Sequence, residues 1–506
     1  MIILGDHPLT IDEIIRVARN NEEVKLGDQA RRLIQDSHER LLHIIKSGKP
    51  IYGINTGFGI FADKKIRMEE SNQLSRNLIL SHAVGIGANL PNDVTRAAML
   101  VRANTLAKGF SGVRLCIIET ILEMLNKKIT PLVPGQGSLG SSGDLCQLSH
   151  MALVLTTDMR DIEEESGFAD FDGKLLTGKQ AMETAQIERI ILGPKEGLAL
   201  NNGATFSAAI GALAISDSEY LIELADRSSA LTIEALLGCS AAFDERIHES
   251  RGQLGQIESA KKIRENFKGS TFIDSSANVQ DAYSLRCAPQ IHGAVRDTIQ
   301  FARKIIEREV NAATDNPLIF EPFEAISGGN FHGEPIGLVM DYLSIAMCEL
   351  GAISERRIFR MTDGKLNAGL PPMLVDSIEQ AGLNSGLMML QYTAASLVLE
   401  NQTLATPDSV HSLPTSAEQE DHNANAMTAA RHTAMIIENV LQIIGIEIYS
   451  ATRAMDLRIR KQPGKMGKET EVLYNKVRNR IPYLAGDAFW GPEINLAKQM
   501  IVDREL

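Results

Sequence analysis

Ser141, Ser142 and Gly143, within Gly137-Ser138-Leu139-Gly140-Ser141-Ser142-Gly143-Asp144-Leu145, can do chemistry that ordinary side chains cannot. The Gly143 nitrogen can attack the Ser141 carbonyl carbon and close a five-membered ring. Loss of water from that ring and from the Ser142 hydroxyl then leaves an exocyclic methylidene, a strong electrophile. A bulky residue at position 143 would obstruct the closure, and glycine removes that obstacle. The competing interpretation is a flexible turn capping a helix, which holds for most Ser-Ser-Gly sequences, so the rest of the chain must decide.

The elements that would position this triplet are helices. Leu145, Leu148, Met151, Ala152 and Leu155 repeat at helical spacing from about Asp144. Thr10 with Glu13 forms a capping-box pattern ahead of Ile11, Ile14, Ile15 and Ala18. A second amphipathic stretch covers about 29–47, and 71–125 is helical with breaks near Gly85-Ile86-Gly87 and Gly109 to Gly112. Ser81-His82 closes the first of these helices. Residues 160–179 are acidic and glycine-containing, a surface excursion. Later helices are expected near 205–233, 293–312, 334–360, 384–405 and 425–455. Leu343, Ala346, Met347 and Leu350 form one seam, and Leu387 to Leu390 reads as buried on all sides. Helices this long and apolar predict a parallel bundle completed by other subunits.

Gly135-Gln136-Gly137-Ser138-Leu139-Gly140 also matches GxGxxG, with Asp158 near the position of a ribose-binding acid. Pro131 and Pro134 stand where that motif needs a buried parallel strand, and strands do not alternate with helices along the chain. A nucleotide-binding sheet is therefore disfavoured.

Composition narrows the class further. The chain has 506 residues, 44% hydrophobic and 23% charged, as soluble globular proteins do. A formal charge of −13 argues against a nucleic-acid partner. Cys116, Cys146, Cys239, Cys287 and Cys348 are scattered without CxxC spacing, which fits reduced thiols in the cytoplasm. Met1 to Asp6 is too short an apolar run for a signal peptide, and no uncharged apolar stretch of spanning length is evident. No spacing requires a metal: His292 and His332 stand alone and HExxH is missing.

Polar clusters interrupt the helical half: Gln280-Asp281-Ala282-Tyr283-Ser284-Leu285-Arg286-Cys287, Asn311 to Pro317, Ser327 to His332, and Ser416 to His422. A glycine-punctuated loop, Tyr52-Gly53-Ile54-Asn55-Thr56-Gly57-Phe58-Gly59, lacks the Lys-Ser or Lys-Thr of a phosphate cradle. Taken in order with the Ser-Ser-Gly triplet, these clusters resemble the aromatic amino-acid ammonia-lyase family from about residue 50 to 450. That family builds a methylidene-imidazolone (MIO) from a Ser-Gly core usually preceded by Ala. Here Ser141 takes the Ala position, where only the backbone carbonyl enters the ring. Gln147 replaces a usual proline, and Asn201-Asn202-Gly203-Ala204-Thr205 departs from the commoner Leu-Asn-Gly-Thr.

The resemblance implies a mainly α fold, with a smaller, loop-rich N-terminal domain over 1–200 carrying the MIO and a long-helix bundle over 201–506. It implies elimination of ammonia from an amino acid in a homotetramer whose sites are shared between subunits, with no external cofactor. Tyr52 is then the candidate base, although a phenol of ordinary pKa about 10 must be tuned by its surroundings to act at neutral pH. Tyr283 and Asn202 stand near the methylidene, Asp144 aids ring closure, Arg286 binds the substrate carboxylate with its planar fork, and Gln280 and Phe331 line the pocket. Ser81-His82 resembles the histidine-using branch, whereas branches that take phenylalanine or tyrosine resemble Phe-Leu or His-Leu there. Glu420 can accept an imidazole N–H, and burying it unpaired beside a phenyl ring would cost several kcal/mol. The expected substrate is L-histidine and the expected products are trans-urocanate and ammonia; a tyrosine- or phenylalanine-using lyase or aminomutase is the alternative.

Overall fold

Thr10 and Glu13 cap the helix Ile11–Ala18 reciprocally, as their spacing predicts: Thr10 Oγ1 accepts from Glu13 N at 3.2 Å, and Thr10 N donates to Glu13 Oε2 at 3.0 Å. The computed structural model describes residues 1–506 except 49, 58, 62 and 63 and the side chain of 60. Phe58 of the glycine-punctuated loop therefore lies outside the described residues.

Helices dominate: eighteen α-helices are found among the described residues. Asp28–Lys46, Ser71–His82, Asn92–Ala107 and Leu115–Asn126 match the sequence expectations, as do Thr205–Ala235, Ala288–Glu309, Glu334–Thr362, Met388–Leu404 and Ala426–Lys461. The strands among the described residues form only two- and three-stranded sheets. Ile129–Pro131 pairs antiparallel with Phe168–Phe171, and Pro134–Gln136 antiparallel with Ile86–Asn89. The GxGxxG match thus has no parallel sheet to serve, because both prolines lie in or beside short antiparallel strands. The acidic 160–179 stretch is more ordered than a bare excursion: Phe168–Phe171 and Lys174–Thr177 make a hairpin on Ile129–Pro131.

The chain divides into two units, and no single cut near residue 200 separates them. One comprises Met1–Ser216, Ala302–Asp341 and Pro407–His432; the other comprises Asp217–Phe301, Tyr342–Thr406 and Thr433–Leu506. The physical reason is core sharing within the first unit. Ile319 packs with Leu41, Ile44 and Ile54, its N–H donates to Phe110 O at 2.8 Å, and the buried carboxylate of Asp315 pairs with the buried ammonium of Lys195.

In the second unit, Leu343, Ala346, Met347 and Leu350 are buried as their seam predicts. His292 is held inside a buried polar network. Its Nδ1 bonds Asp226 Oδ1 at 2.7 Å, and its Nε2 faces an Arg357 nitrogen at 3.3 Å while Arg357 grips Glu447. Leu387 and Leu390 are buried, but Met389 is 63% exposed, so burial on all sides does not hold for this chain by itself. Two helices, Glu334–Thr362 and Ala426–Lys461, are long and apolar enough to cross a bilayer by length and composition, although neither is uncharged over a spanning length: Asp341 and Glu349 interrupt the first, Glu438 and Glu447 the second. About 72% and 67% of those windows are buried in the protein, which accounts for their apolarity as core packing.

Candidate active site

Helix Leu145–Leu155 starts where its apolar spacing begins, but Asp144 does not cap it through its side chain. The fully buried carboxylate instead accepts from Ser138 Oγ at 2.9 Å and from Ser207 N at 2.8 Å and Oγ at 2.9 Å. Burial raises its pKa above the usual carboxylate range, and the hydrogen bonds oppose that rise. Asp144 thereby ties the loop ahead of the helix to the start of Thr205–Ala235.

The triplet is pressed against a second strand of backbone. Gly143 and Gly203 form a parallel bridge, Asp144 N donates to Gly203 O at 2.9 Å and Gly203 N donates to Ser142 O at 3.3 Å. Asn202 Nδ2 donates to the same Ser142 carbonyl at 2.7 Å. Gly143 has φ +81°, and a Cβ there would lie 2.1 Å from the Gly203 carbonyl carbon. Only glycine permits this approach. Behind it, the buried Arg102 guanidinium donates to Ala199 O at 3.2 Å, Asn202 O at 2.8 Å and Thr205 Oγ1. Desolvation lowers its pKa to about 10.

The two departures from the family pattern have structural explanations. Asn201 is buried and its Nδ2 donates to Ser149 Oγ at 3.1 Å, fastening Glu196–Asn201 to Leu145–Leu155. Gln147 Nε2 donates to Pro134 O at 3.2 Å and anchors the same helix to the strand before the triplet.

Glu309, near this charge cluster, is pushed up to about 7 by burial and by the Asp144 charge, with Arg102 opposing. The native carboxyl holds its proton more tightly than the unfolded one, whose reference value is 4.5. Native protein therefore binds more protons between those values, and this contribution to stability, fully present below pH 4.5, is lost as the pH rises through about 7. Glu309→Gln is expected to remove that dependence, flattening the stability profile over the window by up to about 3 kcal/mol. Thermal melts of both proteins across pH 4 to 8 measure it.

A cavity of about 660 Å³ opens in front of the triplet. Tyr52, Ser81, His82, Ser142, Asn202, Phe331 and Glu420 line it, so these sequence-selected residues are brought together from six separate stretches of the chain. Ser141, with Ser142, lines an adjoining cavity of about 440 Å³, and Gly143 is buried behind. Gln280, Tyr283 and Arg286 belong to the second unit and are not among the residues lining either cavity. Tyr283 is 69% exposed, with the Arg286 guanidinium 4.8 Å from its ring centre.

His82 reaches the cavity from the end of Ser71–His82, and its Nδ1 lies 3.0 Å from Ser81 Oγ. Burial pushes its imidazole below the ordinary range, more than the Leu78 carbonyl contact and the Glu420 charge restore. It is therefore neutral at pH 7 and can offer one donor and one acceptor. Leu74, Asn77 and Leu78 line the cavity too, and sequence inspection passed over them. Their spacing from Ser81 and His82 is that of one helix face, so the signal was present once Ser81-His82 was singled out.

Glu420 Oε1 accepts from Ser142 Oγ at 2.7 Å, and Oε2 accepts from Thr415 Oγ1 at 3.1 Å. Tyr52 Oη accepts from Gly59 N at 3.4 Å. The cavity thus combines a phenol, a neutral imidazole, a carboxylate and an amide around one serine, a set suited to proton transfer and to orienting a small polar ligand.

A family model described as aromatic amino acid lyase matches residues 9–479. The histidine ammonia-lyase of Caldanaerobacter subterraneus subsp. tengcongensis is 46% identical over 503 residues, spanning 99% of this chain and 96% of that one. Among solved structures, the histidine ammonia-lyase of Trypanosoma cruzi superposes with a TM-score of 0.90 at 34% identity, covering 100% of this chain and 94% of its own. Tyrosine aminomutase from Streptomyces globisporus gives 0.93 at 33%, covering 100% and 97%. A match over this much of the sequence, joined to a Ser-Ser-Gly turn facing a cavity that Tyr52, His82 and Glu420 also line, places the chain in the aromatic amino acid lyase family.

Proposed function

We propose that this chain is a carbon-nitrogen lyase that eliminates ammonia from L-histidine to give trans-urocanate. The observation that carries this is the placing of His82 and Glu420 on the cavity that also holds Ser142. A neutral imidazole and a carboxylate can hold the substrate ring through its N–H and its ring nitrogen, contacts that a phenyl ring cannot make. The names of the relatives agree with this substrate.

The residues fit an MIO formed from Ser141, Ser142 and Gly143. Gly143 lies so close to Gly203 that the turn has no room for a Cβ, and Asn202 Oδ1 is a buried acceptor with no partner among the described residues. When formed, the group supplies an electron-poor alkene that makes a reluctant C–N bond breakable. Tyr52 removes the β-proton of the substrate, Asn202 steadies the departing nitrogen and Phe331 packs against the substrate. Ser81 orients His82 through the 3.0 Å contact.

Arg286 binds the substrate carboxylate, with Gln280 and Tyr283 beside it, in a homotetramer where a neighbouring copy brings these three to the cavity. Exposed apolar side chains of the second unit support such an assembly: Tyr342, Ile345, Met389, Tyr392 and Leu399 are each at least 45% exposed. The N-terminal 1–200 stretch carries the triplet and the long helices of 201–506 make the assembly surfaces. The unpaired cysteines fit a cytoplasmic enzyme.

Tyrosine aminomutase shares the fold, so fold does not choose the outcome. An amino-acid panel with ammonia release and product analysis does. Histidine is expected to give ammonia and urocanate, and tyrosine and phenylalanine far less of their products. Ammonia from tyrosine or phenylalanine but not histidine, or a β-amino acid product, overturns the assignment.

A further inference from the structure

We propose that Glu420 is the acid that carries the Ser142 hydroxyl away when the triplet dehydrates, so one carboxyl helps make the electrophile before it ever meets substrate. The proposal rests on the MIO assignment above and concerns a step that precedes turnover.

Two adjacent serines pose a selection problem. Both hydroxyls lie in the ring-forming triplet, yet only that of Ser142 must leave. A single segment, 415–424, holds both and treats them differently. The buried Ser141 Oγ donates to Asn423 Oδ1 and accepts from Ala424 N at 3.1 Å. Asn423 is itself fixed by Ser412 Oγ, which accepts from its N–H at 2.7 Å. Ser141 Oγ also lies 3.3 Å from Leu139 O, and none of these three partners has an acidic proton, so its hydroxyl stays.

Ser142 Oγ instead meets a carboxyl oxygen, Glu420 Oε1, at 2.7 Å. That carboxyl is held in place by Thr415 Oγ1 at 3.1 Å, and Thr415 N donates to Glu420 O at 2.8 Å. Hydroxide is a poor leaving group and departs readily only when protonated as its C–O bond breaks. In its protonated form Glu420 donates along the same line to Ser142 Oγ.

The step balances. The Gly143 nitrogen adds to the Ser141 carbonyl carbon as its N–H proton passes to that oxygen; the oxygen then leaves as the first water with the Ser142 N–H proton, and a C=N bond forms between the Ser141 carbon and the Ser142 nitrogen. The Cα–H bond of Ser142 then breaks, its proton passing to solvent water and its electron pair forming the Cα=Cβ bond. The Cβ–Oγ bond breaks as Glu420 delivers its proton, and the oxygen leaves as the second water. Glu420 recovers a proton from the water that took the Cα proton, so nothing is oxidised or reduced.

The test is the mass of full-length purified protein, with the water loss located in the peptide containing Ser142. Glu420→Gln keeps the size and the acceptor oxygen but has no acidic proton. Folded as judged by circular dichroism, it is expected to lose one water or none where the wild type loses two. Glu420→Asp is expected to recover the second loss more slowly after a pulse of synthesis. A folded glutamine variant that loses both waters at the wild-type rate overturns the proposal. Should that variant not fold, Thr415→Val keeps the carboxyl and removes only its orienting hydroxyl. It is expected to slow the second loss several-fold, and an unchanged rate overturns the proposal. A wild-type chain that loses no water removes the MIO assignment and this proposal together. One that loses both waters but ignores histidine removes the substrate assignment alone.

Discussion

Gly143→Ala is expected to leave the triplet uncyclised and to lower histidine turnover by about 10³-fold or more, ~4 kcal/mol in barrier. The added methyl carbon would start 2.1 to 2.3 Å from three backbone atoms of Gly203. No flexible side-chain end is available to move aside. The residue would also keep a φ of +81°, which L side chains rarely adopt. Relief requires the Gly203 backbone to retreat, and that backbone is held by Asp144 N, by Ser142 O and, through the Asn202 carbonyl, by Arg102. Retreat would disturb the hydrogen bonds by which Gly203 holds the backbone of Ser142 and Asp144 on either side of the Gly143 nitrogen. Intact mass with no water lost, together with the loss of urocanate formation, is the expected pair of results. Ser142→Ala should match the activity loss without disturbing the turn, since it removes the hydroxyl and leaves position 143 alone. An alanine protein at position 143 that loses both waters and stays within tenfold of wild type would mean the Gly203 segment yields, and the close approach of Gly143 to Gly203 would not be essential.

How far these features could be read from sequence depends on whether the deciding contact is local. The capping box of Thr10 and Glu13, the start of Leu145–Leu155 and the face that presents Ser81 and His82 follow from spacing alone, because helical geometry converts spacing into direction. Burial of charge does not follow from spacing. Nothing local marks Lys195 and Asp315 as a buried pair or Arg102 as enclosed among the carbonyls of Ala199 and Asn202, since their partners lie far along the chain. The division into units was hidden for the same reason: 302–341 and 407–432 join the first unit through contacts of long sequence separation. Gln280, Tyr283 and Arg286 mark the other limit, because a motif names residues without placing them, and none of the three lines either cavity beside Ser142. Even Glu420 was legible only as a substrate contact. Its hydrogen bond to Ser142, 278 residues away, appears once the chain is folded.

Tyr52→Phe is expected to reduce kcat for histidine by about 10²–10⁴-fold, the range a positioned general base supplies, while KM changes by no more than a few-fold. The phenyl ring remains to line the cavity, and only the oxygen is lost. One polar contact of that oxygen is the Gly59 N–H at 3.4 Å, a long bond. A defect confined to kcat therefore reports a group that acts in the transition state rather than in binding. Two checks keep the measurement specific. Intact mass must still show two waters lost, because a failure to cyclise would imitate the loss of a base. Exchange of the substrate β-proton with solvent should fall in step with kcat, since that bond is the one Tyr52 is assigned to break. The rival base in the cavity is Glu420, which shares the lining with Tyr52 and holds Ser142. If Tyr52→Phe stays within tenfold of wild type with the ring intact, proton abstraction passes to Glu420. The carboxylate would then serve the reaction as base and Tyr52 would be a packing residue.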